Sequence, residues 1–494
     1  MDILGISAGF HDAAISVVDD QGNIKFASHS ERYSRSKNDL NLCRELLSDV
    51  DFSQINTIAY YENPLKKQVR QWYAGQGFEK NKMFVRQILK KQGVPFEHNT
   101  RILCYDHHLS HAAAGFQTSP YNNATVVVID AIGEFTTASI WRATYDKTGQ
   151  AHYECLWKQG YPHSLGLFYS AFTKHVGLKP LDEEYILMGM AAWGENKHFD
   201  KIYNDHVDNI SEFRFKKNLH AGLDEDYLIE ALDVDIAASV QAITEHMVHR
   251  LVNKARHLSW SPNLVLMGGV ALNCVANSKL NDDYRNIWIM PNPGDAGSSL
   301  GAAALAYGKR LNWQGPMLGY NITGPYPVNR IIEALLEKQI VGVASGPAEF
   351  GPRALGHRSL LADPRGPDIK DRVNEIKRRQ KFRPFAPMIL AEQANLYFDM
   401  PKSWRESPYM QSVGVCKHPD KFPAICHVDN TSRVQTVGTE PQFAGVRELL
   451  EKWFVLTGCP MLLNTSLNIR GEPMVNTRND ADRFEDQYGI EVVS

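Results

Sequence analysis

Residues 1–28 read Met1-Asp-Ile3-Leu-Gly5-Ile-Ser7-Ala-Gly9-Phe-His11-Asp12-Ala13-Ala-Ile-Ser-Val-Val18-Asp-Asp-Gln-Gly22-Asn-Ile24-Lys-Phe-Ala-Ser28. Ile3 to Ser7 is apolar, Gly9 to Asp12 punctuates, and Ala13 to Val18 is apolar again. Asp19 to Asn23 has hairpin-turn chemistry and leads into a third run, Ile24 to Ser28. This pattern predicts strand, turn, strand and hairpin. Further buried strands are predicted at Ala124–Ile129, ending in Asp130, and at Asn263–Met267, ending in Gly268-Gly269. Helical periodicity lies between them, as at Val240–Leu258. Strands alternating with helices indicate an α/β protein. No internal repeat is visible in the sequence.

The chain has 494 residues, enough for two to four domains at about 150 residues each. A hydrophobic share of 43% and a charged share of 22% are ordinary globular values, which excludes disorder and fibrous repeats. The net charge of −3 argues against a tail-driven nucleic-acid binder, though not against a local basic patch. No run of 18 apolar residues predicts a membrane span. The N-terminus lacks the shape of a signal peptide. Seven scattered Cys without a CxxC argue against a disulfide framework, so a cytoplasmic setting is expected. The Gly- and Pro-rich stretch 315–327 is the expected boundary, with a helix at Asn329–Lys338 and a strand at Ile340–Ser345 restarting the pattern. Residues 1–325 carry net −4 and residues 326–494 net +1.

The sharpest chemical signal is Asp106-His107-His108-Leu109-Ser110-His111-Ala112-Ala113-Ala114. On a helix His107 and His111 share one face, at the spacing that lets two imidazoles bind one metal. The alternative is a histidine-rich helix start that is only solvated. Asp130 closes a buried strand, where open α/β sheets place ligands. Asp295 lies in the glycine-flanked turn Pro293-Gly-Asp-Ala-Gly-Ser298. Two His and two Asp suit Fe, Mn or Zn, and ligand type alone does not choose. Each Asp alone is more commonly a turn or helix cap.

Gly268-Gly269-Val-Ala-Leu-Asn273 follows a strand and opens a helix, a geometry that suits an anion. Gly5-Ile-Ser-Ala-Gly9 is similar, and close packing is the plain alternative for both. Residues 365–383 hold eight basic and three acidic residues. Phe382, Pro384, Phe385 and Pro387 flank Arg383, which predicts a seated guanidinium suited to phosphate. Arg433 and the run Leu463-Asn-Thr465-Ser466-Leu-Asn468 add donors. Few aromatics interleave with this basic stretch, which weakens a nucleic-acid reading of it.

Together these segments resemble the NodU/CmcH-type O-carbamoyltransferase family over nearly the whole chain. The motifs are Gly5–Ala13, Ser30-Glu31-Arg32 with Ser34, Arg35 and Lys37, Asp106–Ala113, Ser164–Tyr169, and Gly268–Asn273. Gly294–Gly297, Phe350–Gly356, Arg383–Pro387 and Asn464–Asn468 complete the set. The resemblance implies a two-lobed actin-like ATPase (ASKHA) domain over 1–325, similar to the branch that makes threonylcarbamoyl-adenosine in tRNA. It implies a YrdC-like α/β domain over 326–494. Carbamoyl phosphate and ATP are expected to give carbamoyl-adenylate and pyrophosphate, and an alcohol then takes the carbamoyl group and AMP leaves.

By the same resemblance His107, His111, Asp130 and Asp295 hold a divalent metal, Fe(II) ahead of Mn or Zn, with Mg accompanying ATP. His11 sits at the transfer site and takes the acceptor's proton at a near-neutral pKa. Lys377, Arg383 and Arg433 serve adenylation, and Arg353, Thr465 and Ser466 bind the nucleotide phosphates. Gly268, Gly269 and Asn273 form the nucleotide cradle of the first domain. Three departures stand out: Ala131 for a usual Gly, Ile186 for a usual Lys, and Pro347 for a usual Arg. The acceptor is open between a sugar or natural-product hydroxyl and a hydroxymethylated pyrimidine, free or in DNA. No membrane partner is expected, and a homo-oligomer is compatible. The rival readings are a sugar-kinase-like ATPase, a threonylcarbamoyl-type tRNA enzyme, and a non-catalytic nucleotide or metal sensor.

Overall fold

The computed structural model describes residues 1–73, 85–94, 100–280 and 284–494. The chain is a mixed α/β protein of two compact units, one built from 1–30 and 38–313 and the other from 31–37 and 314–494.

The first unit holds two five-stranded sheets. Asp2–Ser7, Ala14–Val18, Ile24–His29, Ile55–Tyr60 and Arg101–Cys104 form one, ordered third-second-first-fourth-fifth. Its first three strands are antiparallel neighbours, and the last two add in parallel. Asn123–Ile129, Thr136–Tyr145, Ala151–Gly160, Asn263–Met267 and Asn286–Trp288 form the other. Its strand order and polarity are the same. The topology therefore repeats, although no repeat is visible in the sequence. Strand order is set by which apolar runs are buried, and different residues satisfy the same burial. Ala14–Val18, for example, is buried throughout.

Helix His107–Thr118 is almost wholly buried and packs on helix Ser298–Tyr307. The approach is backbone to backbone. A Cβ on Gly301 would lie 1.8 Å from the Ser110 carbonyl oxygen, and one on Gly5 would lie 1.9 Å from that of Ser299. Gly5 is thus a packing glycine inside a strand, not part of an anion cradle. Gly301→Ala forces these helices apart and is expected to destabilise the protein by about 3 kcal/mol or more, read as a lower urea midpoint. A midpoint equal to wild type would show that the crossing yields.

Helix Asp233–Leu258 starts two turns before the predicted Val240, with Asp233 and Asp235 in its acidic first turn. His206, in the region packed against it, is buried with both ring nitrogens unpartnered, edge-on to Phe172 and Tyr227. Burial pushes its pKa down to about 4. The unfolded chain binds that proton near 6.5, so it holds more protons than the fold does between pH 6.5 and 4. Stability therefore falls as pH drops through that window, by about 3 kcal/mol from this group. In urea titrations from pH 7 to 4, His206→Leu is expected to flatten that part of the slope. An unchanged slope would remove His206 from the account.

The second unit is built on a six-stranded sheet ordered Gln435–Val437, Ala386–Leu390, Met461–Ser466, Arg358–Ala362, Ile340–Ala344 and Val492–Val493. Arg358 is fully buried and donates to the carbonyls of Tyr320, Ser345, Gly346, His357 and Asn476. Segment 31–37 joins this unit through two arginines. Arg32 donates to the Gly351 carbonyl, and Arg35 to those of Pro473 and Met474. Among the described residues no helix is long and apolar enough to cross a membrane.

Candidate functional site

His107, His111, Asp130 and Asp295 come together from four chain positions, all buried, with one ligand atom of each within 4.8 Å of the others. His107 Nε2 lies 3.1 Å from His111 Nε2, 3.1 Å from Asp130 Oδ2 and 3.4 Å from Asp295 Oδ1. His111 Nε2 lies 3.3 Å from Asp295 Oδ1 and 3.8 Å from Asp130 Oδ2. Four donors at about 2.1 Å from one ion stand roughly 3.0–3.4 Å apart in octahedral or tetrahedral arrangements. Four of the five observed spacings fall in that range. Asp295 Oδ2 is also buried without a partner. The residues therefore fit a divalent metal, and the N₂O₂ set suits Fe, Mn or Zn.

Charge in the cluster is consistent with that fit. Burial opposes a charged His107, yet Asp295 and Asp130 raise its pKa well above the usual value. Burial and Asp295 push the Asp130 carboxyl up, but His107 and His111 outweigh them and hold it to about 2. Asp295 is likewise held low, chiefly by His107. A bound cation takes the place of the imidazole proton, so binding releases a proton and weakens in acid.

The scaffold around the cluster explains its precision. Asp106 is the cap of helix His107–Thr118 but makes no side-chain cap bond. Glu134 replaces it: its carboxylate accepts from the N–H of His107 and of Asn63. Gly269 donates its N–H to Asp130 Oδ1. His108 points away from the cluster to Ser139 Oγ, at 2.7 Å. Ala131 has no left-handed backbone, so the usual Gly is not needed there. Ile186 is a core residue of helix Glu184–Met190. Pro347 accepts a ring N–H from His357.

The glycine turn packs closely on the strand end that carries Asp130. A Cβ on Gly268 (φ +91°) would lie 2.2 Å from the Ile129 carbonyl oxygen, so this glycine serves close packing. The Gly269 N–H already serves Asp130, and Asn273 caps the five-residue helix Cys274–Ser278 while exchanging bonds with Gln241. The anion nearest this turn is the chain's own carboxylate.

His11 lies in the loop after the first strand, its Nδ1 3.2 Å from Asp12 Oδ2. Burial opposes its charge, but Asp12, then Asp295 and Asp130, raise its pKa to about 9. That lies above the near-neutral value expected of it. Lys67 and Tyr60 hold this loop in a way the sequence did not disclose. Tyr60 Oη donates to the Ala8 carbonyl, and Lys67 Nζ donates to the Gly9 carbonyl and to Glu62 Oε1. Lys67 sits on helix Pro64–Tyr73, whose Arg70 donates to the Glu134 carbonyl.

In the second unit Lys377 is 4% exposed. Its Nζ donates among four acceptors, the carbonyls of Ser466 and Asn468, Ser466 Oγ and Asn468 Oδ1. Burial pushes its pKa well down, with Arg379 and Arg383 adding. Lys377 thus clamps the 465–468 turn rather than presenting an open ammonium. The guanidinium seated on Phe385 belongs to Arg379, 4.0 Å from the ring centre and bonded to Asn374 and the Pro384 carbonyl. Arg383 is half-buried two residues before it, as are Arg353, Arg433, Thr465 and Ser466 at their own positions. Thr465 and Ser466 pair with Leu360 and Ser359 at the end of the sheet.

The family description "Carbamoyltransferase N-terminus" matches residues 54–304, and "Carbamoyltransferase C-terminus" matches 332–494. An uncharacterized protein of Synechocystis is 33% identical over 97% of this chain and 93% of its own length. Nodulation protein NolNO of Sinorhizobium fredii is 30% identical over 95% of this chain and 76% of its own. A solved activator of the 2-hydroxyisocaproyl-CoA dehydratase from Clostridium difficile aligns over 62% of this chain and 94% of its own. Its 14% identity and TM-score of 0.35 are too low to define the fold. The chain belongs to the carbamoyltransferase family of the NodU type. It is an enzyme of carbamoyl transfer.

Proposed function

We propose that the chain is an ATP-dependent O-carbamoyltransferase acting in two steps, and the buried two-His, two-Asp cluster within a carbamoyltransferase carries that reading. In the first step carbamoyl phosphate gives up its phosphate to water. The resulting carbamate oxygen attacks the α-phosphate of ATP, and pyrophosphate leaves. In the second the acceptor's hydroxyl oxygen attacks the carbamoyl carbon, AMP leaves and a proton is released. Overall, carbamoyl phosphate, ATP, water and an alcohol give the carbamate ester, AMP, pyrophosphate and phosphate.

The strand order shared by both sheets of the first unit supports the actin-like reading of that unit. The second unit is read as YrdC-like, and its net +5 stretch 365–383 supports a site for polyanions. Arg353, Arg383 and Arg433 bind phosphate oxygens, with Mg accompanying ATP. Lys377 shapes the Thr465-Ser466 turn against them. His107, His111, Asp130 and Asp295 hold Fe(II), or Mn or Zn in its place, which supplies Lewis-acid polarisation. His11, kept protonated by Asp12, donates to the carbamoyl oxygen as negative charge builds there. Gly268 and Asn273 shape the wall of this site.

The acceptor is an alcohol, either a sugar or natural-product hydroxyl or a hydroxymethylated pyrimidine. Mass spectrometry of candidate alcohols with carbamoyl phosphate and ATP is expected to show a gain of about 43 Da, matched by AMP. ADP as the nucleotide product would instead indicate a kinase-like enzyme.

A further inference from the structure

Residues 350–357 join strands Gly346–Glu349 and Arg358–Ala362 of the second unit. All of them are buried except Pro352 and Arg353 at the tip. Glu349, at the start of the loop, is 3% exposed. One of its oxygens, Oε1, accepts the N–H groups of Leu355, His357 and Arg358 at 2.8, 2.9 and 3.1 Å. Burial opposes its charge, yet His357, the Leu355 N–H, Arg358 and Arg32 hold its pKa below the usual value. Burying a carboxylate is costly, and three converging N–H donors offset that cost in only one conformation of the loop.

Other side chains pin the rest of this backbone. Arg32 donates to the Gly351 carbonyl, Asn464 to that of Ala354, Gln435 to that of Leu355 and Tyr326 to that of Gly356. Arg353 therefore stands between a fixed carbonyl two residues before it and fixed groups one and two residues after it. Asn464 also donates to Gln435 Oε1 at 2.8 Å. Asn464 directly precedes Thr465-Ser466, and Gln435 lies two residues after Arg433. These buried bonds thus gather three segments, which carry Arg353, Arg433 and the Thr465-Ser466 turn.

We infer that Glu349 is a positioning residue that sets Arg353 against the phosphate oxygens of the adenylation site. This rests on the O-carbamoyltransferase reading, which places phosphates at Arg353, Arg433 and the Thr465-Ser466 turn. Glu349 touches no substrate and acts through the backbone that follows Arg353. A guanidinium on a fixed backbone gives up less freedom when it binds a phosphate. Loosening the loop therefore weakens binding of the phosphates, and KM rises while kcat changes little.

The test is a double-mutant cycle on the full chain with Glu349→Gln, Arg353→Ala and the two combined. Calorimetry reads the binding of inorganic pyrophosphate, and pyrophosphate release reads the KM for ATP. Each single variant is expected to weaken pyrophosphate binding about tenfold and to raise the KM about as much, with kcat held within about twofold. The double variant is expected to match Arg353→Ala alone, because Glu349 acts through Arg353. A residue that only stabilised the fold would lower the urea midpoint, and its effect on binding would multiply with that of Arg353→Ala. Glu349→Asp, which keeps the charge but shortens its reach, gives the same reading if Glu349→Gln does not fold. Multiplying effects, or pyrophosphate binding indifferent to either residue, would overturn the inference. Coupled loss of pyrophosphate binding in a chain that shows no carbamoyl-phosphate-dependent pyrophosphate release would leave Glu349 in this role and defeat the transfer reading instead.

Discussion

His107→Ala with His111→Ala is expected to remove the bound divalent metal and lower carbamoyl transfer by about a thousandfold, while carbamoyl-phosphate-dependent pyrophosphate release persists. The cluster offers four donors from one helix, one strand end and one turn, and two of them go with these substitutions. What remains is Asp130 and Asp295, two carboxylates with no imidazole to balance them. Their pKa values rise on losing the histidines that hold them low. Metal content by elemental analysis reads the first effect, and separate assays of pyrophosphate and product read the second. Both steps falling together would argue that the sites are not separable. His107→Gln, which keeps a polar side chain, serves as the control for folding.

Lys377→Met is expected to abolish pyrophosphate release, with a fall of at least about a hundredfold. The reason differs from the one the sequence suggests. Lys377 Nζ joins the carbonyls of Ser466 and Asn468 to their own side chains. Met fills the same space but leaves these buried acceptors without a donor, and the turn opens. Arg383→Ala is expected to act on the bound phosphate itself, raising the KM for carbamoyl phosphate or ATP. Both variants are assayed for pyrophosphate across a range of each substrate. A Lys377→Met enzyme with wild-type kcat would show that the 465–468 turn has no part in adenylation.

Much of the architecture was legible in local patterns. The strands at Ile24, Ala124 and Asn263 begin within one residue of their expected positions, because apolar runs bounded by turn residues have few other places to go. His107 and His111 were readable from helical spacing, and Asp130 from its place at a strand end. The repeat of strand order was not readable, because topology is a property of pairing between distant segments. Nor was the membership of residues 31–37 in the second unit, since Arg32 and Arg35 pair with backbone carbonyls, which any sequence supplies. That Arg379 sits on Phe385 was hidden because residues 377–385 turn back on themselves, with Arg379 bonded to Asn374 and Pro384. The glycines of Gly268-Gly269 and Gly5 looked alike as cradles, and only their neighbours show that Gly268 and Gly5 pack against backbone carbonyls. The inner face of helix Pro64–Tyr73 was hidden for a related reason: its charges are buried by specific partners, so its pattern is inverted.

The account stands or falls on the fate of ATP. With purified enzyme, carbamoyl phosphate and ATP labelled at the α-phosphate, the label is expected in AMP in proportion to carbamoylated alcohol. Omission of the alcohol is expected to leave carbamoyl-phosphate-dependent pyrophosphate release but no ester. Label recovered in ADP, or carbamoyl ester formed at full rate without ATP, would contradict the two-step mechanism.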